Sequence, residues 1–246
     1  MKLRFLIFIV FICLPAQSEP LSAETAVRLS FSISLSPSDP EINLSDIKNI
    51  PDLYFECQVA EMSLKSTVPL FYNSLVREYI EIYLLGRANQ IPELSRLSDK
   101  YFPMFENQLE KAALPDELKY IPVIESALNP LALSPSGALG LWQFKSETGR
   151  SLGLQKVENL DERCDPEKST QAACEYLRYL YTVFGDWQLS LLAYHAGPST
   201  IKNAINKAGG KTSYKDIYAF LPLATQRYLP SYIAVMYVLN NYKNHI

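Results

Sequence analysis

Residues 121–143 read IPVIESALNPLALSPSGALGLWQ, and Glu125 is the one ionisable side chain among them. The stretch just ahead begins with Pro115, Asp116 and Glu117, a helix start with proline and acids where the helix dipole favours them. If the helix runs on, Leu118, Ile121, Glu125 and Leu128 fall at steps of three, four and three, so the carboxylate interrupts an apolar stripe. Pro122 removes one helical hydrogen bond and either kinks or restarts the segment, and a full restart would turn Ile121 away from the other two. An acid among such neighbours is expected to be partly desolvated and to hold a proton nearer neutrality, as a general acid must. The alternative is that Glu125 ends the helix facing solvent or ties down a turn. After Asn129-Pro130, the run Ser134 to Gly140 offers hydroxyls and a tight turn, and Leu141 to Phe144 brings Trp142 and the amide of Gln143 together. Flat rings with amides suit sugars. Trp142 by itself is more often core than platform.

Outward from this stretch the chain reads as all-helical, in short pieces crossing at varied angles. Asp165-Pro166 opens a longer helix whose apolar side, Ala173, Leu177, Leu180 and Phe184, ends at Gly185. Further segments are predicted over 187–194, 199–208 and 232–241. Upstream, residues 68–97 turn helical, with Leu75, Tyr79, Ile82 and Leu85 recurring at three and four, and another segment covers 101–109. Residues 24–50 are rich in serine, aspartate and proline without a sustained period and read as a loosely packed arm.

The first residues, MKLRFLIFIVFICLPAQS, set two cations ahead of an apolar run and then small residues at Ala16 and Ser18. That is the form of a cleaved export signal, and the run is short for a membrane span. Bulky Val10, Phe11 and Ile12 before Cys13 argue against acylation of that cysteine. Removing Lys2 and Arg4 from the 23 basic residues leaves 21 against 26 acids. With no basic run, nucleic acid is excluded as the expected partner. Of the remaining cysteines, Cys164 and Cys174 are the nearer candidate disulfide, with three isolated thiols (Cys57 included) as the alternative. A helix from Pro166 would carry Cys174 about 12 Å along its axis, so the preceding loop would have to fold back to close the bridge. No histidine neighbours the thiols, which argues against a metal site.

Four ordered stretches carry a resemblance. They are Glu125-Ser126, SPSGALGLWQF at 134–144, AYHAGP at 193–198 and LPLATQRYLP at 221–230, with LPDELKYIPVIESALNP and DERCDPEKSTQAACEYL around them. From about Thr67 to Asn241 the chain resembles the soluble lytic transglycosylases, the goose-lysozyme-like peptidoglycan lyases, and within them the membrane-bound lytic transglycosylase D branch. After the signal peptide at 1–18 and an irregular arm at 19–66, both read from the residues above, the resemblance implies a helical extension at 67–110 and a lysozyme-like catalytic domain at 111–246. It implies Glu125 as the single catalytic acid, Ser126 as support for its segment, and Ser136 and Gln143 along a glycan groove. Tyr194 matches a motif tyrosine and Tyr228 the late tyrosine facing the acid, which could equally be core. His195 stands where the family usually has asparagine, and the expectation is that it braces its loop. Glu147, Asp161 and Glu162 gain no role.

By the same resemblance the substrate is peptidoglycan in the periplasm of a Gram-negative-type envelope, the enzyme being exported there, with association at the outer membrane as an open alternative. Glu125 would protonate the oxygen between N-acetylmuramic acid and N-acetylglucosamine and then take the proton of the C6 hydroxyl, leaving a 1,6-anhydromuramic end. Two carboxylates serve an ordinary glycosidase; here the substrate's acetamido oxygen stands in for the second. No metal or organic cofactor is implied. The rival readings are a lysozyme-like muramidase, which would leave reducing ends, and a noncatalytic glycan-binding envelope protein. No peptidoglycan-binding repeat is recognisable in the 246 residues, so glycan binding is expected to rest on the groove.

Overall fold

The computed structural model describes residues 44–158 and 160–242. The leader at 1–18, Cys13, residues 19–43 of the expected 19–66 arm and His245 lie outside them. Helices account for most of the described chain: α1 Asp52–Lys65, α2 Ser74–Glu81, α3 Ile91–Lys111, α4 Ile121–Ser126, α5 Ser146–Ser151, α6 Pro166–Phe184, α7 Trp187–Ala196, α8 Pro198–Lys207, α9 Tyr214–Ile217, α10 Leu223–Gln226 and α11 Tyr228–Tyr242. A two-residue hairpin, β1 Lys156–Val157 against β2 Leu160–Asp161, supplies the strands. The all-helical expectation holds.

The irregular arm expected through residue 66 does not extend that far. Leu44–Asn49 is a 3-10 turn and α1 follows Pro51. Phe55 and Val59, one helical turn apart, are buried in the core, and Arg77 donates to the carbonyls of Ile47 and Ile50 at 2.9 and 3.0 Å. Tertiary contact orders a stretch whose own sequence has little helical period.

The 67–110 extension also differs in detail. Leu75, Tyr79, Ile82 and Leu85 are half-buried, whereas the fully buried line is Val76, Ile80 and Tyr83, one residue round the helix. That line faces α11, the principal partner of α2. The expected period fails beyond Glu81 because the helix widens into a π turn, Ile82–Gly86. In α11 every residue from Tyr232 to Leu239 is buried, the mark of a helix enclosed on all sides. It packs on α1, α2 and α3 from one direction and on α4 and α7 from another. Residues 67–110 and 111–246 therefore share one hydrophobic core.

Helix α6 keeps to its sequence signals. The Asp165 side chain accepts from the Lys168 amide at 2.9 Å, and the helix stops at Gly185 with φ of 64°. Both satisfy terminal groups the helix cannot pair internally. The expected bridge between Cys164 and Cys174 is not formed, and both thiols are free. Cys164 lies in the 3-10 turn before the cap and Cys174 is buried well inside α6, so the rise along the helix separates them.

Candidate active site

Pro122 restarts the segment. Asp116–Tyr120 is a 3-10 helix, and α4 begins at Ile121 with Pro122 in its first turn. Leu118, Ile121 and Leu128 are nevertheless all 0% exposed. Glu125 sits in the last turn of α4 with its side chain 16% exposed. It does not face open solvent.

Directly after it the backbone turns left-handed twice, at Ala127 (φ 49°) and Leu128 (φ 61°). Such residues cost about 1–2 kcal/mol each. Burial of the Leu128 side chain offsets that cost, and the Leu128 amide donates to the Pro122 carbonyl at 3.2 Å. The chain leaves α4 sharply, so the acid ends its helix with space beside it. Ser126 ties the helix to the next loop: its hydroxyl lies 2.9 Å from the carbonyl oxygens of both Pro122 and Leu141.

The loop 133–144 folds on itself through bridges of Leu139 with Leu133 and with Phe144. Arg163 clamps it from outside. That guanidinium, nearly buried, donates to the carbonyls of Phe144 at 2.9 Å and Gly137 at 3.1 Å while its other edge pairs with Asp161 at 2.7 Å. Arg163 holds the Asp161 carboxyl below the usual carboxylate range, and Asp161 in turn raises the guanidinium. Gly140 lets this happen: its φ is +86°, and a Cβ there would lie 1.8 Å from the Arg163 carbonyl oxygen. Arg163, its partner Asp161 and Gly140 were missed as site-forming residues. An arginine two positions after an aspartate, just ahead of Asp165-Pro166, was the available signal.

Within the loop, Trp142 is core. It is fully buried and its Nε1 donates to the Thr170 hydroxyl at 2.9 Å, so the aromatic platform it could have offered is absent. Gln143 has left-handed backbone (φ 49°), and its amide nitrogen donates to the carbonyls of Ala132 and Gly140, both at 2.8 Å. Its amide oxygen is not engaged in those bonds. Ser136 is exposed at the tip of the turn, 3.1 Å from the Ser134 hydroxyl, and makes no hydrogen bond with Glu125.

Two further elements bring their residues to the acid. The first turn of α11 places Tyr228, 6% exposed, so that its hydroxyl donates to Glu125 Oε1 at 2.9 Å. The last turn of α7 supplies Tyr194 and His195. Tyr194 donates to the Trp142 carbonyl at 2.7 Å. Burial, reinforced by the Glu125 charge, pushes both phenols well above 10, so they remain donors across the working pH range. The His195 ring stacks on Tyr228, with centroids 4.4 Å apart and planes 24° from parallel. Its Nδ1 is 3.9 Å from Glu125 Oε1, beyond hydrogen-bond distance. His195 thus faces the acid; among the described residues no hydrogen bond shows it bracing its own loop. A cavity of about 600 Å³ lined by Ala112, Asp116, Arg178 and Trp187, among others, includes none of these residues.

The chain is similar to known proteins in sequence and in fold. Residues 102–217 match the transglycosylase SLT domain. The chain is 34% identical over 186 residues to the membrane-bound lytic murein transglycosylase D of Escherichia coli (strain K12), an alignment covering 74% of this chain and 40% of that protein. It is 30% identical over 202 residues to the membrane-bound lytic murein transglycosylase F of Yersinia pestis (strain Pestoides F), covering 72% of this chain and 40% of that one. The chain thus spans about 40% of the length of these relatives. Among solved structures, the 70 kDa soluble lytic transglycosylase of Escherichia coli superposes with a TM-score of 0.51 at 19% identity over 90% of this chain and 40% of that one. Its complex with bulgecin A gives 0.54 at 19% identity over 81% and 32%. The fold is accordingly the lysozyme-like fold of that enzyme, and the match to the transglycosylase SLT domain lies in residues 102–217.

Proposed function

We propose that the protein is a peptidoglycan lytic transglycosylase of the cell envelope that cleaves the β-1,4 bond between N-acetylmuramic acid and N-acetylglucosamine without consuming water. The observation that carries this reading is the engagement of Glu125 at a single oxygen. Tyr228 donates to Oε1 and His195 approaches the same atom, so Oε2 is the oxygen left to carry and exchange a proton. The groups that engage the acid are a phenol and an imidazole, not a second carboxylate. A one-acid mechanism fits such a site.

In the first half, protonated Glu125 gives its proton to the bridging oxygen as the bond from that oxygen to the muramic acid C1 breaks. The substrate's acetamido oxygen stabilises the anomeric centre. In the second half, ionised Glu125 takes the proton from the C6 hydroxyl as O6 bonds to C1, and the acid returns to its starting form. Tyr228 supports both halves by fixing the carboxyl rotamer, and its donated hydrogen bond steadies the charge that appears between them. The free amide oxygen of Gln143 is placed to accept from the glycan, and Ser126 keeps α4 in register with that loop. The family names of the relatives and the envelope setting those names carry support the same reading.

The test is Glu125→Gln. The change preserves size and the bond from Tyr228 but removes the exchangeable proton, so cleavage of intact peptidoglycan should fall by about 10²–10⁴-fold with glycan binding retained. Wild-type products, separated by mass before and after borohydride reduction, should be anhydro ends that take up no hydrogen. Reducible ends would make the enzyme a muramidase, and undiminished cleavage by the variant would remove Glu125 from the chemistry.

A further inference from the structure

Helix α6 carries two neighbouring tyrosines, of which Tyr176 packs partly against the core and Tyr179 does not. Leu177 and Leu180 fill the interior at 0% exposure, whereas Tyr179 is 51% exposed and Tyr176 is half-buried. Three residues apart, the two rings lie on one helix face. Their planes are 18° from parallel with centroids 6.2 Å apart. Nearly parallel rings at that separation are slipped past one another, so each leaves much of its face uncovered.

Ring contacts join the pair to Tyr194. Tyr176 meets Tyr194 at 5.7 Å and Phe144 at 6.3 Å, and Tyr194 lies close enough to Glu125 to feel its charge. Tyr194 also holds the carbonyl next to Gln143. A chain of ring contacts thus runs outward from Tyr194 and comes to the surface at Tyr176 and Tyr179 on α6. Solvent-facing aromatic surface that adjoins a polar site and contributes little to the core marks a ligand surface.

We infer that Tyr176 and Tyr179 form a stacking shelf for pyranose rings of the glycan strand beyond the cleaved bond. This rests on the reading of the substrate as peptidoglycan. A repeating sugar chain suits it because each ring offers an apolar face of axial hydrogens to an aromatic plane while its hydroxyls stay in water. The shelf also supplies what buried Trp142 does not, an accessible aromatic surface beside the motif residues. Tyr179 is a binding residue in this scheme and takes no part in proton transfer.

Binding should be measured in the noncleaving Glu125→Gln protein, by calorimetry with glycan strands stripped of their peptides. Adding Tyr179→Ala should weaken the dissociation constant by about tenfold, and Tyr179→Phe should restore it. The exposed position leaves the helical circular dichroism unchanged in both. A dissociation constant within about twofold of the parent for Tyr179→Ala overturns the shelf, whether or not the wild type cleaves. Absence of cleavage by the wild type with the Tyr179→Ala loss of binding intact would instead overturn the transglycosylase reading and leave the shelf standing.

Discussion

The hydroxyl of Tyr228 reaches the carboxylate of Glu125 across 103 residues of sequence at 2.9 Å. One partner ends a six-residue helix and the other begins a fifteen-residue one, so the distance between them is set by how two helices meet and not by any local turn. The consequence is a carboxyl with one oxygen committed and one free.

Tyr228→Phe tests that division of labour. The ring and its stacking on His195 remain, while a hydrogen bond to a charged acceptor is lost, a deletion worth about 1.5–3 kcal/mol. Turnover should drop by about 10–100-fold with little change in KM and only a small change in melting temperature. Unaltered turnover would mean that the phenol is merely packed there.

His195→Asn asks whether the imidazole exchanges protons. At 3.9 Å from the acid it is too far to share a hydrogen bond, and a one-acid scheme gives it none to transfer. Activity should stay within about tenfold of wild type, with the alkaline side of the pH profile kept. A folded variant that loses 10²-fold or more would assign histidine a chemical role at about the scale of general catalysis.

The clamp on the loop gives a stability prediction with a definite sign. Arg163 lowers the Asp161 carboxyl in the folded protein. Such a group adds stability that is present above its unfolded value, about 4, and is lost as pH falls through the lower folded value. Thermal melts of wild type and Asp161→Asn should therefore differ most near neutrality and converge as the solution is acidified below about pH 4. A gap that stays constant down to the acid limit would show that the pair contributes through shape alone.

Free thiols make a chemical prediction. Unreduced protein denatured in the presence of an alkylating agent should be modified at Cys57, Cys164 and Cys174. In the native state Cys174 should react far more slowly than Cys164, since it is buried and burial pushes its thiol up to about 11. A linked pair of peptides containing Cys164 and Cys174 would refute the observed arrangement.

What could be read from the sequence was what neighbouring residues determine. Asp165, Pro166 and Gly185 fix the two ends of α6 through groups within a few residues of each terminus, and the stripe through Leu118, Ile121 and Leu128 was visible as spacing. The depth of Trp142 was not. Its burial depends on Phe105, whose ring meets it at 5.4 Å, and on Thr170, and neither is implied by LWQF. The role of Arg163 was hidden for the same reason, because its acceptors are carbonyls 19 and 26 residues away. Backbone oxygens leave no mark in a sequence. Helix α1 escaped because its order comes from contacts such as Phe55 with Tyr237.

The helix that delivers Tyr228 has a wider consequence. Residues 102–217 define the family match, yet α11 lies wholly beyond that range and is enclosed partly by α1 and α2, which lie wholly before it. The matched domain and the unit that can fold are therefore different lengths of chain. A polypeptide trimmed to the matched residues would keep Glu125 but forfeit the phenol that orients it. One extended to include α11 but cut before α2 would present the apolar side of that helix to water. The domain match has its borders where a pattern of letters stops, whereas the acid's orientation depends on a scaffold that crosses those borders on both sides.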